Sequence, residues 1–328
     1  MPMSRNPSLL RRALGALCVM AAACSAPVRS ADFNLSLAIE DPTGSRPAVL
    51  AQEFAQLVDK YSGGKVAVKV YPDAQLGNLK TVIEGLQIGT VDMTKVYDAL
   101  SPLLPETVIL DLPYMFKTRK HFERVMNDPV IWGTMRKLEA KGIVPVSWWE
   151  NGYRHMTNNV RPIRTPADLK GLKMRTPANP SRLAMFRLFG ANPAPLPYPE
   201  LYSALQQKAF DGQENPIANI VSGRLYEVQQ YLSLTGHVYG PQLLLISKVK
   251  WDALPPQAKE AVKRAGDETG QKWRDQAEQG DREDLASIAS KIKINEIDFI
   301  AFQAASQTLY NESKYPDLVK RILQLVKD

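Results

Sequence analysis

Two packed α/β lobes are the fold class that the sequence predicts, and three observations predict it. Strand-like and helix-like stretches alternate through the first half of the chain, a second block repeats that rhythm, and one helical stripe near the C-terminus is far longer than the others. The length, 328 residues, suits two lobes or one large domain.

The rhythm opens at Asp32 to Ile39, where polar and apolar residues alternate as in a strand. Turn residues Asp41-Pro42-Thr43-Gly44 follow, then a helix from about Pro47 to Tyr61 that Gly63-Gly64 stops. Lys65 to Tyr71 alternates strongly and is read as a second strand, and Leu79 to Ile88 as a helix. Apolar Val108 to Leu112, helices near Arg119 to Met126 and Pro129 to Ala140, and a strand from Ile143 to Trp149 complete the first block. In the second block, short strands are expected at Arg154 to Asn158, Leu172 to Arg175, Ala191 to Leu196 and Ala209 to Glu214. Helices around Ser181 to Phe189 and Pro199 to Gln206 separate them. Farther on, Ala258, Ala261, Val262, Ala265, Thr269, Trp273 and Ala277 recur at helical spacing, which predicts one helix from Pro255 to about Ile294. Gly266, Gly270 and Gly280 each weaken it by up to about 1 kcal/mol, so a bend or break can fall near any of them. Two shorter amphipathic helices, near Phe299 to Tyr310 and Tyr315 to Val326, finish the chain.

The N-terminus reads as an export leader. Arg5, Arg11 and Arg12 make it basic, Ala13 to Ala23 is apolar, and Val28-Arg29-Ser30 offers a cleavage site after Ser30, which sets the leader at 1–30. The apolar run is shorter than the ~20 residues a membrane span needs. Ala21-Ala22-Ala23-Cys24 loosely resembles a lipoprotein box, with Ala21 where a leucine is usual, so lipid anchoring at Cys24 is the minor alternative. Cleavage after Ser30 would remove Cys18 and Cys24, the only cysteines, and with them any disulfide or thiol chemistry. It would also remove Arg5, Arg11, Arg12 and Arg29, lowering the formal charge from +7 to +3. Basic and acidic residues alternate along the helical segments, so no nucleic-acid partner is expected.

Catalytic signatures such as G-x-S-x-G, H-E-x-x-H, the phosphate-binding G-x-x-x-x-G-K-[ST] and the dinucleotide-binding G-x-G-x-x-G do not occur. His121, His155 and His237 are the only histidines and lie far apart, so neither a metal nor another cofactor is expected. Asp211 with Glu214 and Glu283 with Asp284 are acid pairs, read respectively as the flanks of a turn and a charged helical face. Arg175 is more informative. In Gly171-Leu172-Lys173-Met174-Arg175-Thr176-Pro177, alternation sends Leu172 and Met174 to one face and Lys173 and Arg175 to the other, and Pro177 ends the strand. Open α/β folds bind ligands in the crevice outside strand ends, and a guanidinium there grips a carboxylate through two parallel hydrogen bonds. From these residues alone Arg175 also fits an ordinary surface arginine, and Asn215, between Glu214 and Pro216, fits a helix N-cap as well as a ligand contact.

Five segments carry a resemblance: Tyr71-Pro72-Asp73-Ala74-Gln75-Leu76-Gly77, Leu112-Pro113-Tyr114, Asn151-Gly152-Tyr153-Arg154, Asp168 through Pro177, and Asp211-Gly212-Gln213-Glu214-Asn215-Pro216. Together, and in this order, they resemble the substrate-binding subunit of tripartite ATP-independent periplasmic (TRAP) transporters, the DctP family. The resemblance covers essentially all of the chain after the leader. It implies a two-lobed periplasmic binding protein fold with crossing hinge strands and the long helix: lobe I over 31–152 with returning C-terminal segments, lobe II over 153–250, and the long helix and C-terminal helices over 251–328. It implies a monomer that binds a small organic acid in the cleft, performs no chemistry and passes its ligand to membrane subunits. Arg175 is implied as the main carboxylate contact, supported by Arg154 and Asn215. Glu40, Asn78, Lys95, Tyr97, Tyr198 and His237 are implied near the cleft, with Tyr97 and Tyr198 also fitting lobe packing.

Glu40 bears on ligand choice. An ionised carboxylate a few ångströms from a second ligand carboxylate costs on the order of 4 kcal/mol at an effective dielectric near 20. That favours a sugar acid or hydroxy acid over a C4-dicarboxylate. A sensor subunit reading the same closed form, and an enzyme of small-acid metabolism, are the rival functions.

Overall fold

The computed structural model describes residues 31–326, so the expected leader and Cys24 lie outside the described residues. Nine strands form a single sheet: β1 (Phe33–Ala38), β2 (Val66–Tyr71), β3 (Met93–Val96), β4 (Ile143–Asn158), β5 (Lys173–Thr176), β6 (Asn192–Pro195), β7 (Gly212–Pro216), β8 (Tyr231–Ser247) and β9 (Lys293–Asn295). Their order is β2-β1-β3-β8-β4-β7-β5-β6, with β9 on β8. At one end β1 pairs in parallel with β2 and β3; at the other β5 pairs in parallel with β6 and β7. The antiparallel pair β4–β8 runs between them, from Ile143↔Ser247 to Asn158↔Tyr231. Its register shifts between Pro145 and Ser147, Glu150 and Gly152, and Arg154 and Met156, and Gly152 takes a positive φ of 95°. These two strands send side chains into the cores at both ends of the sheet and so belong to both lobes.

Burial follows from strand alternation. Along β8, Leu243 and Leu245 enter one core with Phe122 and Ile109, while Leu244 and Ile246 enter another with Phe54 and Trp149. In the second lobe Met174, Phe186 and Val238 pack under Phe302, and Leu205, Ile220 and Leu232 under Ile288. The C-terminal helices return to both lobes, since Phe302 joins the core of the second and Val319 and Ile322 that of the first. No helix among the described residues is long and apolar enough to cross a membrane.

Two expectations are corrected, and one long strand has no counterpart in the sequence reading. Ile143 to Trp149 and Arg154 to Asn158 are one sixteen-residue strand, not two. β8 carries no clear strand signal, because Gly236, Gly240 and Pro241 interrupt its apolar pattern. The long helix spans Pro256–Ile288 and stops before β9 takes up residues 293–295. It runs through its glycines unbroken, because they serve close packing: a Cβ on Gly270 would lie 2.5 Å from the Trp148 carbonyl oxygen.

Candidate functional site

A cavity of about 350 Å³ opens between the lobes beside the crossing strands. Arg175 reaches it from near the end of β5, where alternation buries Met174 on one face and turns Arg175 to the other. Only 2 % of Arg175 is exposed. Its Nε donates to the Leu196 carbonyl at 2.8 Å, and among the described residues its two terminal nitrogens make no hydrogen bond and no ion pair. Burial pushes its pKa down to about 10, although Glu214 and Glu40 pull the other way. The site holds a desolvated cation whose outer fork has no partner.

Arg154, from β4, is also buried but is committed. Its Nε and Nη2 grip the two Glu214 carboxylate oxygens at 2.5 and 2.8 Å, and Nη2 also donates to the Glu214 carbonyl. Glu214 takes a second arginine as well, Arg182 Nη1, at 3.0 and 2.9 Å. Arg182 Nη2 continues to Asp111 at 2.6 Å and Asp98 at 3.0 Å. Burial alone would raise the Glu214 carboxyl, but Arg154 and Arg182 hold it well below the usual carboxylate range. Asn215 is held within this network, its Oδ1 accepting from Arg154 Nη2 at 3.2 Å and its Nδ2 donating to Gln213 at 2.5 Å. It lies in β7 and is not a helix N-cap, and Glu214 likewise lies in the strand and flanks no turn.

The opposite wall comes from the first lobe. Lys95 pairs with Asp41 at 2.6 Å, so this cation is already neutralised. Asn78 caps the helix Leu79–Ile88 through its own side chain, and Glu40 Oε1 accepts the Leu79 N–H of that helix's first turn at 3.0 Å. Burial raises the Glu40 pKa to about 7 against the Leu79 N–H and Arg175. That weakens the repulsion expected of a fixed anion, because near neutrality Glu40 takes a proton at little cost. Tyr198 lines the cavity with its ring while its hydroxyl donates to the Asn219 carbonyl at 2.9 Å.

This architecture, two lobes sharing crossing strands around a cavity with one unanswered guanidinium, has a counterpart in known proteins. The sequence profile of the bacterial extracellular solute-binding proteins of family 7, DctP, matches residues 42–316. The chain belongs to the DctP family. A relative, the 2,3-diketo-L-gulonate-binding periplasmic protein YiaO of Escherichia coli K12, is 38% identical over 68% of this chain and 68% of its own. Two solved TRAP periplasmic solute-binding proteins share the fold. One, from Bordetella bronchispeptica with density interpreted as pantoate, has 38% identity and a TM-score of 0.84 over 90% of this chain and 100% of that one. The other, from Polaromonas sp. JS666 bound to D-erythronate, has 31% identity and a TM-score of 0.87, again over 90% and 100%.

In this DctP protein the cavity gathers seven of the residues singled out from sequence: Arg175, Arg154, Asn215, Glu40, Asn78, Lys95 and Tyr198. Tyr97 and His237 do not line it. Alternation turns Tyr97 away from Lys95 and into the first lobe's core, where its hydroxyl donates to the Thr107 carbonyl. His237 is fully buried behind the network, with Nε2 3.2 Å from Glu214, and burial lowers its pKa. Sequence reasoning missed Arg182, Asp98 and Asp111. Their partnership spans 84 and 71 positions of chain, and only the fold brings them together.

Proposed function

We propose that this DctP protein is a periplasmic solute-binding subunit of a TRAP transporter that takes a small organic acid anion, a sugar acid or hydroxy acid, and delivers it to membrane subunits. The observation that carries the reading is the unpartnered Arg175 fork. A buried guanidinium left without an anion is unfavourable, and a ligand carboxylate supplies two parallel hydrogen bonds in the geometry the fork prefers. The lobes then close over the acid, expelling water and strengthening each polar contact. No step of this cycle requires a bond to be made or broken, so the protein acts as a binder. Relatives whose names or structures carry 2,3-diketo-L-gulonate, pantoate and D-erythronate support the acid class. The raised Glu40 pKa keeps a C4-dicarboxylate as the second reading, since a protonated Glu40 donates to a second carboxylate.

A thermal-shift screen over pantoate, D-erythronate, D-galactonate, uronates, pyroglutamate and succinate tests this, because a ligand raises stability by RT ln(1 + [L]/Kd). Stabilisation by one or more hydroxy or sugar acids, absent in Arg175→Ala, is the expected result. Stabilisation by succinate alone would replace the ligand class, and none at all would remove the function.

A further inference from the structure

We propose that Asp98 is a specificity-determining ligand contact, accepting a hydroxyl of the bound acid and so selecting polyhydroxylated monocarboxylates over their deoxy counterparts. The proposal rests on the reading that the acid's carboxylate sits on Arg175.

The buried ionic network contains three carboxylates, and they are not equivalent. The side chains of Asp111 and Glu214 are 2 % and 0 % exposed, whereas Asp98 is 13 % exposed and lines the ligand cavity. Asp98 is firmly held. Arg182 Nη2 donates to its Oδ1 at 3.0 Å, and Asn179 Nδ2 donates to its backbone carbonyl at 3.1 Å. Its other oxygen, Oδ2, has only Arg154 Nη1 at 4.0 Å, beyond hydrogen-bond reach, and makes no hydrogen bond among the described residues. A rigid acceptor is therefore presented to the cavity from a network in which two arginines face three carboxylates. What suits it is a neutral donor, and a ligand hydroxyl is one; a second carboxylate is repelled.

The rest of the lining agrees. Asp41 pairs with Lys95 through Oδ2, and Glu40 uses only Oε1, on the Leu79 N–H, while its Oε2 makes no hydrogen bond among the described residues. The cavity thus offers one open cationic fork and three carboxyl groups with a free oxygen, Asp98, Glu40 and the Lys95-paired Asp41, while Pro177, Pro195, Leu196 and Pro197 supply an apolar wall with no side-chain donors to compete for them. The complement of that arrangement is one carboxylate and at least two hydroxyls on a short carbon chain.

Calorimetric titration of the full exported chain with D-erythronate and D-galactonate, against the chain-matched alkanoates butanoate and hexanoate, tests the assignment. The hydroxylated acids should bind at least about a hundredfold tighter than the alkanoates, two hydrogen bonds to carboxyl groups being at stake. Asp98→Asn should weaken the hydroxylated acids by about ten- to a hundredfold and leave the alkanoates unchanged or tighter. Equal binding of alkanoates and hydroxylated acids by the wild type would overturn the role of Asp98 while leaving the Arg175 reading intact. An equal loss for every acid in Asp98→Asn would reduce Asp98 to a counter-ion of Arg182 and overturn it too. Failure of the wild type to bind any of these acids would remove both readings. The wild-type series decides the question by itself if Asp98→Asn does not fold.

Discussion

Arg182 and Arg175 are buried to the same degree, 1 % and 2 % exposed, and the Glu214 charge acts on both. Arg182 meets three carboxylates, Glu214, Asp111 and Asp98; the terminal nitrogens of Arg175 meet none among the described residues. The same side chain is thus a structural tie in one place and, on the proposed reading, the receptor for a ligand carboxylate in the other. Burial does not distinguish the two roles. Partnership does, because a desolvated cation whose fork is unanswered is tolerable only where an anion arrives from outside.

The comparison breaks most visibly at Arg182. Arg182→Met leaves Asp111 and Asp98 without their arginine and Glu214 with Arg154 alone, and removing one member of a buried ion cluster costs about 3–5 kcal/mol. Urea unfolding should show that loss, and an unchanged midpoint would put the two arginines in one class. Arg175→Ala should do the reverse: stability stays level or rises, while affinity for the acid falls by roughly thirtyfold to several thousandfold, equivalent to about 2–5 kcal/mol. Arg175→Lys should fail nearly as badly in the same titration, because an ammonium cannot reproduce the planar fork.

The smallest expected effect is a pH dependence at Glu40. Its folded pKa, about 7, lies above the ordinary 4.5, so the folded state binds this proton more tightly than the unfolded chain. The associated stability is fully present below the unfolded value and is lost as pH rises from about 4.5 through 7, on the order of 2 kcal/mol after allowance for partial exposure. A carboxylate bound on Arg175 removes one of the influences lowering Glu40, so binding takes up a proton and affinity for the acid falls above pH 7. Glu40→Gln should flatten both profiles; a wild-type affinity constant between pH 6 and 8.5 would separate Glu40 from the ligand.

Much of the site was legible because it lies on regular elements. Alternation around Met174 and Arg175, with Pro177 just beyond the strand, puts a guanidinium at a strand end, but it fits a surface arginine as well until the family resemblance assigns it to the ligand. The family resemblance then supplied Arg154, Asn215, Glu40, Asn78, Lys95 and Tyr198, all of which reach the cavity. The resemblance also implies Tyr97 and His237 near the cleft, but strand alternation turns Tyr97 into the core, the packing alternative the sequence leaves open, and His237 lies behind the ionic network. Arg182 left no local signal, since its partners lie 84, 71 and 32 positions away. β8 escaped for a related reason: its glycines and proline mimic a loop, and only pairing along nearly the whole of β4 makes it a strand.

A crystal structure of the protein with its bound acid tests the central claim most directly. The account predicts the ligand carboxylate lying across the two terminal nitrogens of Arg175 at about 2.8 Å, with the Arg154–Glu214–Arg182 cluster unchanged behind it. A carboxylate held instead by Lys95, or an Arg175 fork still empty in the complex, would contradict it.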